Sequence, residues 1–339
     1  MSAPVRPDGV ARLGHLPQID LMKAVAAVAV VLLHSLSRDA LTQSWAVFHI
    51  WQAVPVFVLL MGLTTRISYE RRHVQTLSVL ASDIPRRLRR LVVPFSIAWG
   101  ASLLLGLSRH DDLYFGVQTL LCRLPGPGRG SYFVSLAISF AMLAPVLFRL
   151  LIRWPTATLL ASAAVNIAFE LMALHLDLFA DPWIYAVTPL RYLLLFVLGM
   201  WLADDLPDPQ FTGRASIVVP YALLSVVYLV AWNTGWYVAP FLVQGWSSQN
   251  PAAYGYTMLL CVLGLRMLPC RPGGPTATRL GRLGRASYHI FLTQMIVVVM
   301  APTWVDWRIV GNVLLSCLIG WLWFELESRG APELAARRG

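Results

Sequence analysis

Ten apolar stretches, near residues 16–36, 47–65, 91–108, 131–149, 156–175, 189–203, 216–234, 252–268, 286–303 and 309–326, take up most of this 339-residue chain. Most run to about 17–22 residues, the length that a bilayer core of about 30 Å asks of a helix; the sixth is the shortest. In hydrocarbon every backbone N–H and C=O must be bonded internally, and a helix meets that need within one segment. A chain with 57% hydrophobic and 13% charged residues cannot cover itself with polar surface in water. The expected fold is therefore an all-α polytopic integral membrane protein of about ten transmembrane helices. Residues 1–15 and 328–339 are read as tails and 16–327 as one membrane domain, with no linker, tandem repeat or low-complexity segment. The first stretch does not read as a cleaved signal peptide: Asp20 and Lys23 sit in its inner half, and no small-residue cleavage site follows.

Arginine sets the expected orientation. With the N-terminus inside, one side collects Arg6, Arg12, the run from Arg66 to Arg90, Arg149, Arg153, Arg214, Arg266 to Arg285 and Arg337-Arg338. The other side keeps a handful such as Arg38, Arg109, Arg123 and Arg129, so both termini are expected to be cytoplasmic. The net charge of +10 follows from the same bias and suits anionic membrane lipids, with no nucleic-acid partner expected. The cysteines at 122, 261, 270 and 317 share no metal spacing, so neither a metal nor an internal disulfide is expected.

Ionisable residues inside an apolar span are costly unless they face a bundle interior or a wet cavity, which makes them functional candidates. Lys23 is the only lysine in the chain and lies within Ile19-Asp-Leu-Met-Lys-Ala-Val-Ala-Ala-Val-Ala-Val-Val-Leu-Leu-His34. Eleven residues are close to three helical turns, so Lys23 and His34 share a face, about 16 Å apart, with Asp20 one turn before Lys23. The other reading is that Asp20 and Lys23 flank the span at the headgroups, with Lys23 snorkelling. Asn166 and Glu170 are four apart on one face of the fifth stretch; Gln294 and Asn312 lie in the last two. Interhelical hydrogen bonding accounts for the amides, whereas the Glu170 carboxylate needs a partner or a wet pocket. Pro55 and Gly62 in the second stretch allow a kink or a close helix approach. Trp236 belongs to an aromatic loop, Asn233 to Asn250, suited to the interfacial belt or to stacking on a sugar ring.

Six segments in order resemble the membrane acyltransferase-3 family over about residues 18–329. Ile19-Asp-Leu-Met-Lys-x10-His34 is similar to the family's opening Leu-Asp-x-x-Arg/Lys-x10-His. Val54-Pro-Val-Phe-Val-Leu-Leu-Met-Gly62 and Arg86-Arg-Leu-Arg-Arg-Leu-Val-Val-Pro94 resemble the motifs of the second and third spans. Tyr192 to Gly199 resembles the sixth, and Leu283-Gly-Arg-Ala-Ser-Tyr-His-Ile-Phe-Leu-Thr-Gln294 the Gly-Arg-x-Ser-Tyr-x-Ile-Tyr-Leu-x-His segment. Glu327-Ser-Arg329 resembles the motif closing the tenth span. The chain departs from the pattern at Lys23, usually arginine, at Met61, usually serine, and at Gln294, commonly histidine. No hydrolase-like domain is expected after the tenth span.

The resemblance implies O-acylation of a carbohydrate, usually acetylation, with cytoplasmic acetyl-CoA as donor, in a bacterial inner membrane. His34 is then the general base, since imidazole titrates near neutral pH, while Lys23 orients the donor or pairs with Asp20. Arg86, Arg87, Arg89, Arg90 and Arg285 become the phosphate-binding group. Glu170, Tyr288 and Trp236 are candidates for contact with the acceptor, a polysaccharide or lipid-linked oligosaccharide, and a second copy of the chain is a candidate partner. A proton-coupled transporter using Asp20, Lys23, His34 and Glu170 is the alternative, although no internal repeat accompanies it.

Overall fold

Each of the ten apolar stretches carries a helix. The structure, a computed structural model, describes residues 15–72, 80–126, 128, 130–206, 212–237, 248–269, 274–300 and 308–336, and among them there is no strand. The helices are α1 (Pro17–Ser35), α2 (Ala53–Glu70), α3 (Ile84–Arg109), α4 (Tyr132–Arg153), α5 (Pro155–Ala173), α6 (Leu193–Leu202), α7 (Thr212–Asn233), α8 (Pro251–Met267), α9 (Ser287–Met300) and α10 (Arg308–Ala336). Short helices lie between them, among them Pro182–Val187 and Pro275–Arg285.

Among the described residues, seven helices are long and apolar enough to cross a membrane. An eighth span is added when Thr278–Arg285 and Ser287–Met300, bent by 69° at their joint, are taken together. α6 has only ten residues, about 15 Å. Proline explains its late start. The residue before a proline is pushed out of the α region; Thr188 is accordingly extended, and the chain restarts as a 3-10 turn, Pro189–Tyr192, before α6. Every residue of α6 from Leu194 to Leu202 is buried, as befits a helix that is apolar all round.

Glycines let α6 sit at the centre. A Cβ on Gly62 of α2 would stand 2.0 Å from the Phe196 carbonyl oxygen, and one on Gly199 of α6 would stand 2.0 Å from that of Leu59. The two backbones cross in contact at this pair, the small-residue packing that membrane helices use in place of a hydrophobic driving force. Phe196 then stacks on Phe140 of α4 at 4.4 Å. Pro55 does not kink the second span: two 3-10 turns precede α2, and Pro55 falls in its first turn, where a missing N–H is harmless. α3, α7 and α10 leave most of their apolar side chains outward.

Candidate active site

The segment opening α1 and the segment leading into α9 meet backbone to backbone. A Cβ on Gly284 would lie 1.8 Å from the Asp20 carbonyl oxygen, so only glycine permits the contact. One residue on, Arg285 brings Nη1 to 3.5 Å from Asp20 Oδ2, and His15 Nε2 lies 2.9 Å from the same oxygen. Asp20 is buried. Asp20 and Lys23 line a cavity of about 390 Å³ together with His15, Thr64, Ile67, Arg71 and Arg72.

The other expected phosphate-binding arginines are arranged unequally. Asp83, just before α3, is buried and gathers Arg72 Nη1 at 2.8 Å, Arg87 Nε at 2.8 Å and Arg86. Burial opposes the charge on Asp83, but the bonds from Arg72, Arg87 and Arg86 prevail and hold its carboxyl well below the usual carboxylate range. Arg87 also donates to Thr65 Oγ1 at 3.2 Å and lies 4.4 Å over the Tyr69 ring. Arg89 and Arg90 are exposed on α3. Arg66, Glu70 and Asp204 form a further ion-pair group at this end, with Arg66 Nη2 2.7 Å from Asp204 Oδ1.

His34 lies at the far end of the same face of α1, half-buried. The residue packed against it is Gly130, in the left-handed region at φ +82. A Cβ there would stand 2.8 Å from His34 Nε2 and 3.5 Å from Gln294 Nε2. The backbone of the loop before α4 therefore brings imidazole and amide to one point. Gly128 and Ser131 flank that point and also line a polar cavity of about 700 Å³, whose walls include Arg109, Asp111, Asp112, Tyr114, Arg123, Asp181 and Trp183. Asn312 of α10 donates to Ser35 Oγ at 2.9 Å, tying α10 to the end of α1.

Glu170 has a built environment that includes a residue the sequence reading passed over. Tyr185 donates to its Oε2 at 2.7 Å, and Arg191 Nε lies 3.9 Å from Oε1. Arg191 is wholly buried between the rings of Tyr185 and Tyr192, at 4.7 and 5.0 Å, and donates to the Gln249 carbonyl at 3.3 Å. An arginine inside the stretch 189–203 was the available signal. Glu170 also lines a largely apolar cavity of about 460 Å³ with Tyr228, Tyr237 and Asn250. Tyr288 instead donates to the Leu91 carbonyl at 2.8 Å, joining α9 to α3. Trp236 is 91% exposed and does not line that cavity. His289, next to Tyr288, lies 2.7 Å from Glu327, so the segments Leu283–Gln294 and Glu327–Arg329 also meet. The structure thus brings Asp20, Lys23 and Arg285 together at one end of α1 and His34 with Gln294 at the other, with Arg86 and Arg87 gathered on Asp83.

A family model described as an acyltransferase domain matches residues 16–324. No curated protein matches the chain, and no solved structure does.

Proposed function

The chain belongs to the membrane acyltransferase-3 family, and from that premise we propose that it carries an acetyl group from cytoplasmic acetyl-CoA to a hydroxyl of an exported or cell-surface polysaccharide, or of its lipid-linked precursor, with His34 as general base. The observation that carries the reading is the polar face of α1, which has a cavity at each end. At one end Asp20 and Lys23 line about 390 Å³ beside Arg71 and Arg72; at the other, His34 packs on Gly130 next to a polar space of about 700 Å³.

The charges at the first end suit the phosphates of the donor. Arg71 and Arg72 are at the cavity wall, Arg285 is held beside it by Asp20, and Arg86 and Arg87 share Asp83 with Arg72. Lys23 offers a point charge deeper on the route, so the pantetheine arm runs along α1 toward His34, about 16 Å further. This end faces the cytoplasm, in keeping with the arginine bias. At the far end the carboxylates Asp111, Asp112 and Asp181 and the rings of Tyr114 and Trp183 suit a polyhydroxylated acceptor, through accepted hydroxyl bonds and stacking. His34 takes the hydroxyl proton as the oxygen attacks the thioester, and returns it to the departing thiolate.

Two measurements test this. Acetyl-CoA should raise the melting temperature of the detergent-solubilised protein, and mass spectrometry of cell glycans with and without the gene should show an acetyl group that depends on it. Proton-linked uptake in liposomes, with no acetyl-CoA effect and unchanged glycans, would support a transporter instead.

A further inference from the structure

Gly284 and Arg285, which meet Asp20, end a helix, Pro275–Arg285, whose outer side the donor cavity does not explain. Its last seven residues repeat in threes, Arg279-Leu-Gly-Arg-Leu-Gly-Arg285. At about 100° per residue each step of three falls about 60° short of a turn, so arginines, leucines and glycines form three separate edges. The glycine edge lies on α1, where Gly284 touches the Asp20 backbone. On the leucine edge, Leu283 packs on the core and Leu280 is 41% exposed. The arginine edge adjoins it. Arg279 and Arg282 are exposed, and among the described residues neither has an ion pair, whereas Arg285 reaches Asp20.

By itself this segment is a poor helix, since it holds two glycines and its like charges three apart repel. The sequence supplies no neighbouring counter-charge: no aspartate or glutamate occurs between Asp208 and Asp306. The helix is turned by 69° from α9 at their joint, so it runs along the surface at which α9 begins. Lying there, with leucines on one edge and arginines on the next, it has the build of an interfacial helix on anionic lipid.

We propose that Arg279 and Arg282 hold the phosphate of an anionic phospholipid of the cytoplasmic leaflet, with Leu280 set into the acyl-chain boundary beside it. Residues three apart on a helix are neighbours, so both guanidiniums reach one phosphodiester, and each presents a planar fork of N–H donors to its oxygens. The lipid supplies the charge that the chain lacks and presses the glycine edge onto α1. Because Asp20 lines the cavity that also holds Lys23, acetyl-CoA should bind more tightly in an anionic bilayer. That consequence rests on the reading of the cavity as the donor site; the lipid site itself does not.

The full-length protein in detergent is titrated with dioctanoyl phosphatidylglycerol and with dioctanoyl phosphatidylcholine. Wild type is compared with Arg279→Gln/Arg282→Gln and with Arg149→Gln/Arg153→Gln, which removes two exposed arginines from the end of α4. An arginine at an anionic surface contributes about five-fold in affinity, so the first pair should weaken phosphatidylglycerol binding about 25-fold. Phosphatidylcholine binding should not change, and the second pair should behave as wild type. In nanodiscs, wild type should bind acetyl-CoA more tightly with phosphatidylglycerol than with phosphatidylcholine alone, and Arg279→Gln/Arg282→Gln should lose that difference. Unchanged phosphatidylglycerol affinity in Arg279→Gln/Arg282→Gln overturns the proposal. Equal losses in the two pairs also overturn it, because bulk charge would then be the cause. Weaker acetyl-CoA binding in phosphatidylcholine, with phosphatidylglycerol binding retained, would assign the two arginines to the donor's phosphates and overturn it as well. Should wild type bind no acetyl-CoA in either bilayer, the donor reading fails, while the phosphatidylglycerol titration still decides the lipid site.

Discussion

Replacing Glu170 by alanine separates a carboxylate that holds the fold from one that binds acceptor. In the native bundle Glu170 accepts from Tyr185 at 2.7 Å and faces the wholly buried Arg191 at 3.9 Å. Alanine removes both relations, and their magnitudes differ. A hydrogen bond inside a membrane bundle averages about 0.6 kcal/mol and reaches about 1.7. Stranding the partner of a buried ion pair costs about 3–5 kcal/mol. Arg191 keeps the Gln249 carbonyl and two tyrosine faces, so the lower end applies, about 3 kcal/mol for Glu170→Ala. Tyr185→Phe, which deletes only the hydrogen bond, should cost about 0.6–1.7 kcal/mol. Glu170→Leu combined with Arg191→Met removes both charges and should recover most of the loss, since apolar replacements of buried pairs are often neutral. Equilibrium unfolding in mixed detergent micelles measures all three. The reasoning fails if Glu170→Ala unfolds within about 0.5 kcal/mol of wild type, the range of surface substitutions, or if the double variant is the least stable of the set.

In a Cys122→Ser background, an impermeant thiol reagent applied to intact cells should label a cysteine at Trp236 and spare one at Gly274; the reverse pattern would invert the orientation. Alanine at both Arg89 and Arg90, which are exposed, should weaken acetyl-CoA binding and flatten its salt dependence. Unchanged affinity in a folded protein would assign those arginines to lipid headgroups. Asp83 should contribute stability across the neutral range: its folded value lies below the unfolded one of about 3.9, so its contribution is complete above that pH and fades only as pH falls through the folded value. Melting temperatures of wild type and Asp83→Asn should therefore differ at pH 5 as at pH 7 and converge only in stronger acid; convergence already at pH 5 would contradict the three-arginine account.

Apolar length located all ten helices because solvent, whether lipid or bundle, rewards the same residues. It does not by itself fix which of them span the membrane, for the same reason. α6 is walled by protein on every side, so nothing obliges its ten residues to match a bilayer. The shared face of Asp20, Lys23 and His34 was legible because it depends only on helical periodicity within one element. So was the close approach at Gly62, since a lone glycine in a long apolar helix is kept for packing; its partner Gly199 lies far along the chain. Partners across helices were not legible. Asp83 draws Arg72, Arg86 and Arg87 while leaving Arg89 and Arg90 out, and nothing in the run of arginines distinguishes them before the loop is folded. Arg191 drew no attention within the short sixth stretch; a break at Pro189 places it in the core, where Gln249 and Tyr254 reach it from about sixty residues away. Gln294 read as a helix-bonding amide, and only three-dimensional packing leaves it without a partner beside Gly130.

His34→Ala bears most directly on the central claim. The variant protein should insert, melt near the wild-type temperature and bind acetyl-CoA with unchanged affinity, while acetyl transfer to the glycan falls by the factor of about 10² to 10⁴ that a lost general base costs. Transfer within a few-fold of wild type, at matched protein level, would contradict the account.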